Sequence, residues 1–230
     1  MSYSRVFFDC DSTLSTVEGI DELARRAGVG EAMARLTAGA MSGATPLEAI
    51  YARRLDLIRP RQTDLDWLAD RYIEQCVAGA VETISELLHL DKQVHIISGG
   101  LRQAILPLAL ALGIAPERVH AVTLLLDPQG EYAGFDSTSP LARSGGKAKV
   151  CRELLAPGDR AVMVGDGITD AETLEAGVDF IGFGGVVVRE TVRARATHYV
   201  SECSLLASLP YILTTDELQL LQDTPGTPQG

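Results

Sequence analysis

The sequence lacks an excess of basic residues, has very few lysines and contains no long apolar run. Its 230 residues carry a formal net charge of −11 at pH 7, and only three of the 20 basic residues are lysines. Such a chain lacks the basic face that general nucleic-acid binding requires, and anionic membranes repel it. No apolar stretch is long enough for a transmembrane helix. A small anionic substrate would need a local positive site or a metal ion.

Cysteines are also few and scattered, and no two of them form a C-x-x-C pair. They are Cys10, Cys76, Cys151 and Cys203. This usage indicates reduced thiols, as in a cytoplasmic protein. The first residues begin an apparent strand, without the basic region and cleavage site of a signal peptide. We therefore expect a cytoplasmic protein with one sizeable core and a smaller module.

What is present is an alternation of short, β-rich apolar runs with segments of helical period. The apolar runs occupy residues 6–8, 94–97, 119–126, 161–164 and 180–183. This alternation predicts a parallel sheet with helices on both faces, that is, a doubly wound, Rossmann-like α/β fold. Four of the runs end in a polar cluster: "DCDST", "SGG", "GDG" or "GFGG". Because ligands bind at the carboxyl ends of such strands, we expect these clusters to share one crevice.

Two segments depart from this alternation. Residues 15–79 contain four helical patterns and no convincing strand, so we predict a helical cap inserted after the first strand. Residues 119–135 read "VHAVTLLL", "DPQG" and "EYAGF", which predicts a β-hairpin flap. The expected domains are a core of residues 1–14 and 80–230 and a helical cap of residues 15–79.

Acidic side chains follow two of the predicted strands. Asp9 and Asp11 come directly after the first strand, and Asp166 and Asp170 follow another in "VGDGITD". Carboxylates as close as those of Asp9 and Asp11 repel each other, so either one is protonated or a cation lies between them. A hard cation such as Mg²⁺ suits an all-oxygen ligand set. Taken alone, the D-x-D pattern would also fit a strand-end turn or a nucleotide-sugar transferase.

Groups that suit an anion lie at two further places. A hydroxyl and bare backbone N–H groups at Ser98, Gly99 and Gly100 would form an anion cradle at a helix start, although this triplet alone is more often a plain turn. Lys147 offers a compact ammonium for a phosphate oxygen and a carboxylate. Together these groups suit phosphoryl transfer. One carboxylate can attack phosphorus, while the other protonates the leaving oxygen and then activates water.

The motifs as an ordered set resemble the haloacid dehalogenase (HAD) superfamily of phosphatases. They are D-x-D-x-T at 9–13, S-G-G at 98–100, the lysine at 147 and G-D-G-x-T-D at 165–170. Within the superfamily, segments such as "DCDSTLSTVEGIDELA", "GEYAGFD", "SGGKAKV" and "FIGFGG" resemble the phosphoserine phosphatase family, over roughly residues 5–200. The resemblance implies a HAD core with an inserted helical cap and a β-hairpin flap.

The resemblance also implies catalytic and metal-binding roles. Asp9 would be the nucleophile and a metal ligand, and Asp11 would be the general acid/base that binds the metal through its backbone carbonyl. Asp166 would be a further metal ligand, and Asp170 would support the metal's waters and the catalytic Lys147. The residues implied for phosphate and substrate binding are Thr13, Glu18, Met41, Arg54, Ser98, Gly99, Gly100, Lys147 and Thr169.

Substrate choice is implied to reside in the cap. Glu18 would meet a substrate ammonium and Arg54 a substrate carboxylate, although the neighbouring Arg53 makes the choice of arginine a question of register. Ser42 and Leu47 depart from the residues that the family often has at these cap positions.

The implied reaction is the Mg²⁺-dependent hydrolysis of O-phospho-L-serine to L-serine and phosphate, as in serine biosynthesis. The alternatives are another small phosphomonoester such as an amino alcohol phosphate, and transfer of the phosphoryl group to an alcohol acceptor. A non-enzymatic, receiver-like module that stores a phospho-aspartate is a third alternative. The second acid, Asp11, argues against this module because it would speed the loss of the phosphate.

Overall fold

The computed structural model of the chain describes the backbone of residues 2–41 and 47–223 and the side chains of residues 2–36 and 49–221. The predicted pocket residue Met41, and the cap positions Ser42 and Leu47, have side chains outside this described part.

The strands of the described chain form a six-stranded parallel sheet and a separate two-stranded antiparallel hairpin. Their bounds are β1 Arg5–Phe8, β2 Gln93–Leu101, β3 Val119–Val122, β4 Leu124–Leu126, β5 Tyr132–Phe135, β6 Ala161–Gly165, β7 Asp179–Phe183 and β8 His198–Val200. The order in the large sheet is β3-β2-β1-β6-β7-β8. In register, Phe8 lies between Ile96 and Val164, so the segments that follow these residues emerge at the same edge of the sheet.

Helices cover both faces of this sheet and fill the segment after β1. Their bounds are α1 Gly19–Arg26, α2 Gly30–Met41, α3 Leu47–Ile58, α4 Gln62–Glu74, α5 Ala80–His89, α6 Arg102–Ala111, α7 Gly146–Leu154, α8 Ile168–Ala171, α9 Glu190–Arg193, α10 Leu209–Ile212 and α11 Thr215–Asp223. Short 3₁₀ helices span Pro116–Arg118, Pro140–Ala142, Glu172–Ala176 and Leu205–Ser208. None of the helices in the described ranges combines the length and apolar character that a bilayer crossing requires.

The apolar pattern of the sequence accounts for the packing. All five residues of β6 are buried, as expected for a central parallel strand that has helices on both faces. Helix α4 buries Leu65, Leu68, Ala69 and Tyr72, which recur at helical spacing and form one face. The predicted doubly wound α/β fold with a hairpin is therefore confirmed. The predicted division into a core and a cap stays a prediction, since the helices α1 to α4 follow β1 without by themselves defining a domain.

Three details of the predicted sheet are wrong. The run 119–126 is two strands: β3 extends the parallel sheet, and only β4 pairs with β5 in the hairpin. Strand β2 continues past residue 97 through the S-G-G motif, because its pairing with β3 resumes at Leu101. The short edge strand β8 was missed, since three residues are too few to show a periodic pattern.

Candidate active site

The polar clusters at the ends of β1, β2 and β6 line one cavity of about 550 Å³. Of the residues predicted from the sequence, those that line it are Asp9, Asp11, Glu18, Arg54, Ser98, Gly99, Gly100, Lys147, Asp166 and Thr169. Asp170 is fully buried behind Lys147. Thr13 does not line the cavity, and its Oγ1 is buried without a hydrogen-bond partner among the described residues.

Asp9 is fixed at the end of β1 by contacts on one side of its carboxylate. Its backbone N–H donates to the carbonyl of Val164 in β6, at 3.0 Å. Its Oδ1 accepts from the N–H of Cys10 at 2.7 Å and lies 2.8 Å from Nζ of Lys147. Both of these contacts are made by Oδ1, so Oδ2 is the oxygen better placed to meet an electrophile or a cation.

Lys147 joins two carboxylates beneath the cavity. Its Nζ lies 2.6 Å from Oδ1 of Asp170, whose Oδ2 accepts from the N–H of Gly167 at 2.9 Å. Burial opposes the charged form, but the carboxylates of Asp170 and Asp9 raise the pKa of Lys147 above its usual value. Gly165 makes this arrangement possible, because a Cβ at that position would lie 2.3 Å from Cγ of Asp170. The ammonium is thus held charged beside Asp9.

Asp11 is held by one donor on each oxygen. The Tyr72 hydroxyl donates to its Oδ1 at 2.5 Å, and the N–H of Gly19 donates to its Oδ2 at 3.2 Å. Burial, followed by the charge of Asp9, raises the pKa of Asp11 to about 8. This shift favours the protonated acid near neutral pH, which a general acid requires.

The buried acids fit a hard cation. One carboxylate oxygen from each of Asp9, Asp166 and Asp170 lies within 4.8 Å of the others. Burial, followed by Asp9, raises the pKa of Asp166 to about 6, although Arg189 opposes the shift. Oxygen ligands in such a cluster are those that Mg²⁺ prefers. Because both oxygens of Asp170 already have partners, Asp9 and Asp166 are the better placed ligands, and Asp170 supports Lys147.

The Ser98–Gly100 triplet lies in the last part of β2, not after it. The N–H of Gly100 donates to Oγ of Ser98 at 3.1 Å, and Ser98 is 1% exposed. The hydroxyl of Tyr51, from α3, donates to the carbonyl of Gly99 at 2.8 Å. A tyrosine of α3 therefore contacts the predicted anion cradle directly.

The two predicted cap residues reach the cavity from different segments of the chain. Glu18, which precedes α1, accepts at Oε1 from Oγ of Ser12 at 2.8 Å and from Nη2 of Arg189 at 3.2 Å. Arg54 of α3 lines the same cavity, whereas its neighbour Arg53 lines a separate depression. Of the two arginines, Arg54 is therefore the one that faces the cavity, and its contact with a substrate stays a prediction.

The residues of this cavity or its wall that sequence reasoning missed include two arginines and two tyrosines. Arg189 donates from Nε to Oδ2 of Asp166 at 3.0 Å, and Arg143 lines the cavity while its Nη2 donates to the carbonyl of Ser137 at 2.8 Å. Arg189 follows the "GFGG" cluster, so a basic residue after a strand end was the available signal. Tyr51 and Tyr72 gave none, because they occupy apolar positions of helical patterns.

Comparisons with known proteins agree with this geometry. The family described as haloacid dehalogenase-like hydrolase matches residues 3–177. The chain is 41% identical over 203 residues to phosphoserine phosphatase of Bos taurus, covering 87% of this chain and 90% of that one. A phospho-aspartyl intermediate analogue of phosphoserine phosphatase superposes with a TM-score of 0.74 at 26% identity, covering 93% of this chain and 100% of that one. A substrate-bound phosphoserine phosphatase complex superposes with a TM-score of 0.75 at 25% identity and the same coverage.

Proposed function

The chain belongs to the haloacid dehalogenase-like hydrolases, and on that basis we propose that it hydrolyses O-phospho-L-serine to L-serine and inorganic phosphate. One observation carries the proposal: a carboxylate paired with a buried lysine faces a cavity that Glu18 and Arg54 also line. The first pair suits the phosphate, and the two cap residues suit the ammonium and carboxylate of an amino acid.

In the proposed first step, an oxygen of Asp9 attacks phosphorus and the bond from phosphorus to the serine oxygen breaks. Asp11 gives its proton to that oxygen, so serine leaves as a neutral alcohol. In the second step, Asp11 takes a proton from a water molecule whose oxygen attacks phosphorus. The bond from phosphorus to Asp9 then breaks, and both carboxyl groups return to their starting forms. Lys147 keeps a positive charge beside Asp9 throughout.

We propose that Asp9, Asp166 and the backbone carbonyl of Asp11 hold Mg²⁺, with Asp170 as a supporting residue. When bound, the cation neutralises charge on the phosphate and on the attacking carboxylate. Ser98, Gly99, Gly100 and Thr169 then surround the remaining phosphate oxygens in this proposal, together with Lys147. Thr13 does not contact the substrate in this proposal, because its side chain is fully buried and does not line the cavity.

Removal of divalent cations should abolish phosphate release, and added Mg²⁺ should restore it. Mg²⁺ should also raise the melting temperature of the wild type, because a ligand that binds only the folded state stabilises it. Asp166→Asn should lose both responses. Asp179→Asn removes an acid at the start of β7, away from the cavity, and should respond like the wild type. Full activity after exhaustive chelation would contradict the proposed metal site.

Substrate selection by the cap gives a second expected result. Arg54→Ala and Glu18→Gln should each lower kcat/KM for O-phospho-L-serine by about 30- to 5,000-fold, since a bound amino acid would bury its charge pairs with these residues, and removing one partner of a buried pair costs roughly 2–5 kcal/mol. Both variants should keep kcat/KM for ethyl phosphate, which has neither charge, within about threefold of the wild-type value. The matched controls are Arg53→Ala and Glu22→Gln. Equal losses on the two esters would show that these residues hold the fold and not the amino acid.

The same variants separate the proposed substrate from the alternatives. An amino alcohol phosphate keeps the ammonium and lacks the carboxylate, so its turnover should depend on Glu18 and not on Arg54. Transfer to an alcohol would appear as a new phosphate ester in place of inorganic phosphate. The wild type should prefer phosphoserine to both smaller esters.

We further propose that the reaction takes place in the cytoplasm as a step of serine biosynthesis. All four cysteines are free thiols, which is the state expected in a reducing compartment. The proposed catalytic core comprises residues 1–14 and 80–230, and the proposed cap comprises residues 15–79.

A further inference from the structure

Tyr72 lies at the carboxyl end of α4 and is the largest fully buried side chain of the described part. Its hydroxyl donates to Oδ1 of Asp11 at 2.5 Å, while the N–H of Gly19 donates to Oδ2 at 3.2 Å. With one donor on each oxygen, the carboxyl group cannot turn about its terminal bond without losing a hydrogen bond. A helix of the proposed cap thus reaches the proposed acid/base of the core.

We propose that Tyr72 is a positioning residue that holds the Asp11 carboxyl in the orientation needed for proton transfer to and from the reacting oxygens. This inference rests on the proposed function, because it assigns Tyr72 a role only through Asp11. A phenol hydroxyl can both donate and accept a hydrogen bond. Here it donates to Oδ1 of Asp11, and it can do so whether the acid proton is present on Oδ2 or absent, so the contact persists through both steps while that proton stays free for the reacting oxygen.

The hydroxyl oxygen of Tyr72 is closely packed against the backbone at Gly19. A Cβ at Gly19 would lie 2.1 Å from the Tyr72 hydroxyl oxygen, 3.1 Å from its Cζ and 3.3 Å from Cδ2 of Leu68. A Cβ at Gly100 would lie 3.6 Å from the same oxygen. The oxygen therefore fills space that a side chain at residue 19 would take. A phenylalanine at position 72 would leave that space partly empty.

Tyr72→Phe should lower kcat for O-phospho-L-serine by about 10- to 100-fold and leave KM within about threefold, because a misplaced acid/base slows chemistry more than binding. The matched control is Tyr3→Phe, which removes a hydroxyl that donates to Asp179 at 2.8 Å, at the start of β7. That variant should keep the wild-type kcat. Melting temperatures of both variants would report any loss of stability separately.

A double-mutant cycle tests the geometry without relying on one variant. Gly19→Ala should displace the phenol oxygen and lower kcat at least tenfold on the wild-type background. On the Tyr72→Phe background the contact at 2.1 Å is gone and only those at 3.1 and 3.3 Å remain, so the same substitution should lower kcat by less than threefold. Equal losses on the two backgrounds would overturn the inference.

Asp11→Asn separates this inference from the proposed function. If Asp11→Asn is strongly impaired while Tyr72→Phe matches Tyr3→Phe in kcat, Tyr72 is only a packing residue and the inference is overturned, whereas the proposed mechanism stands. If Asp11→Asn keeps the wild-type rate, the assignment of the acid/base is wrong, and the inference falls with it.

Discussion

Asp9→Asn should lower the turnover of O-phospho-L-serine on the order of 10⁴-fold or more, which is the scale of loss when a covalent nucleophile is removed. An amide is a poor nucleophile toward phosphorus, and it carries no negative charge for a cation or for Lys147. The ammonium of Lys147 would keep only Asp170 as an anionic partner. Steady-state phosphate release, followed with substrate well above KM, measures the loss.

The control for this variant is Asp179→Asn, which makes the same chemical change at the start of β7. It should keep turnover within about twofold, as expected of a substitution away from the reacting groups. After incubation with labelled substrate and acid quenching, the wild type should carry label on protein and Asp9→Asn should carry none. Turnover of Asp9→Asn within tenfold of the wild type would exclude the aspartyl-phosphate mechanism.

The charge balance of the cavity explains how a chain with a net charge of −11 can bind an anion. Among the described residues, the acids that line the cavity are Asp9, Asp11, Glu18, Asp21 and Asp166, and the bases are Arg54, Arg143, Lys147 and Arg189. With all groups ionised, the acids outnumber the bases by one. One divalent cation, or one proton on Asp11 together with the cation, makes this lining net positive. The electrostatic requirement of the substrate is therefore local, and the overall charge of the chain does not oppose it.

The sequence was sufficient to predict the parallel sheet and the residues that meet at its edge. Strand β1, for example, is apolar from Val6 to Phe8 and is followed by acidic residues, and this change marks the carboxyl end of a strand where ligands bind. Lys147 was predicted in the same way, because glycines precede it at a helix start. Each of these signals is local, since the residue and its structural context are adjacent in the chain.

The contacts that could not be predicted are those between segments far apart in the chain. Tyr72 is 61 residues from Asp11, and its place on the apolar face of α4 indicates core packing and nothing about its hydroxyl. Arg189 is 171 residues from Glu18. Strand β3 was assigned to the hairpin because a single apolar run does not show where the chain changes from one sheet to another. Such pairings depend on tertiary geometry, which periodicity does not encode.

Asp11→Asn should lower kcat by about 10²- to 10⁴-fold and leave KM nearly unchanged, because general acid–base catalysis contributes about that factor. An asparagine can no longer give a proton to the serine oxygen or take one from water. The amide can keep both neighbouring contacts, since its oxygen can accept from the Gly19 N–H and its NH₂ group can donate to the Tyr72 oxygen, so the expected loss is one of proton transfer.

A substrate whose leaving group needs no proton distinguishes the two proton transfers of Asp11. The leaving oxygen of 4-nitrophenyl phosphate is a weak base and departs without a proton, so Asp11→Asn should still form the phospho-enzyme from this ester. The hydrolysis step still needs a base, so nitrophenolate should appear as a burst of about one equivalent, followed by slow turnover. Label should accumulate on Asp11→Asn and be absent from Asp9→Asn. Steady release at the wild-type rate, with no burst, would place both proton transfers on another group, because no step would then depend on the Asp11 carboxyl.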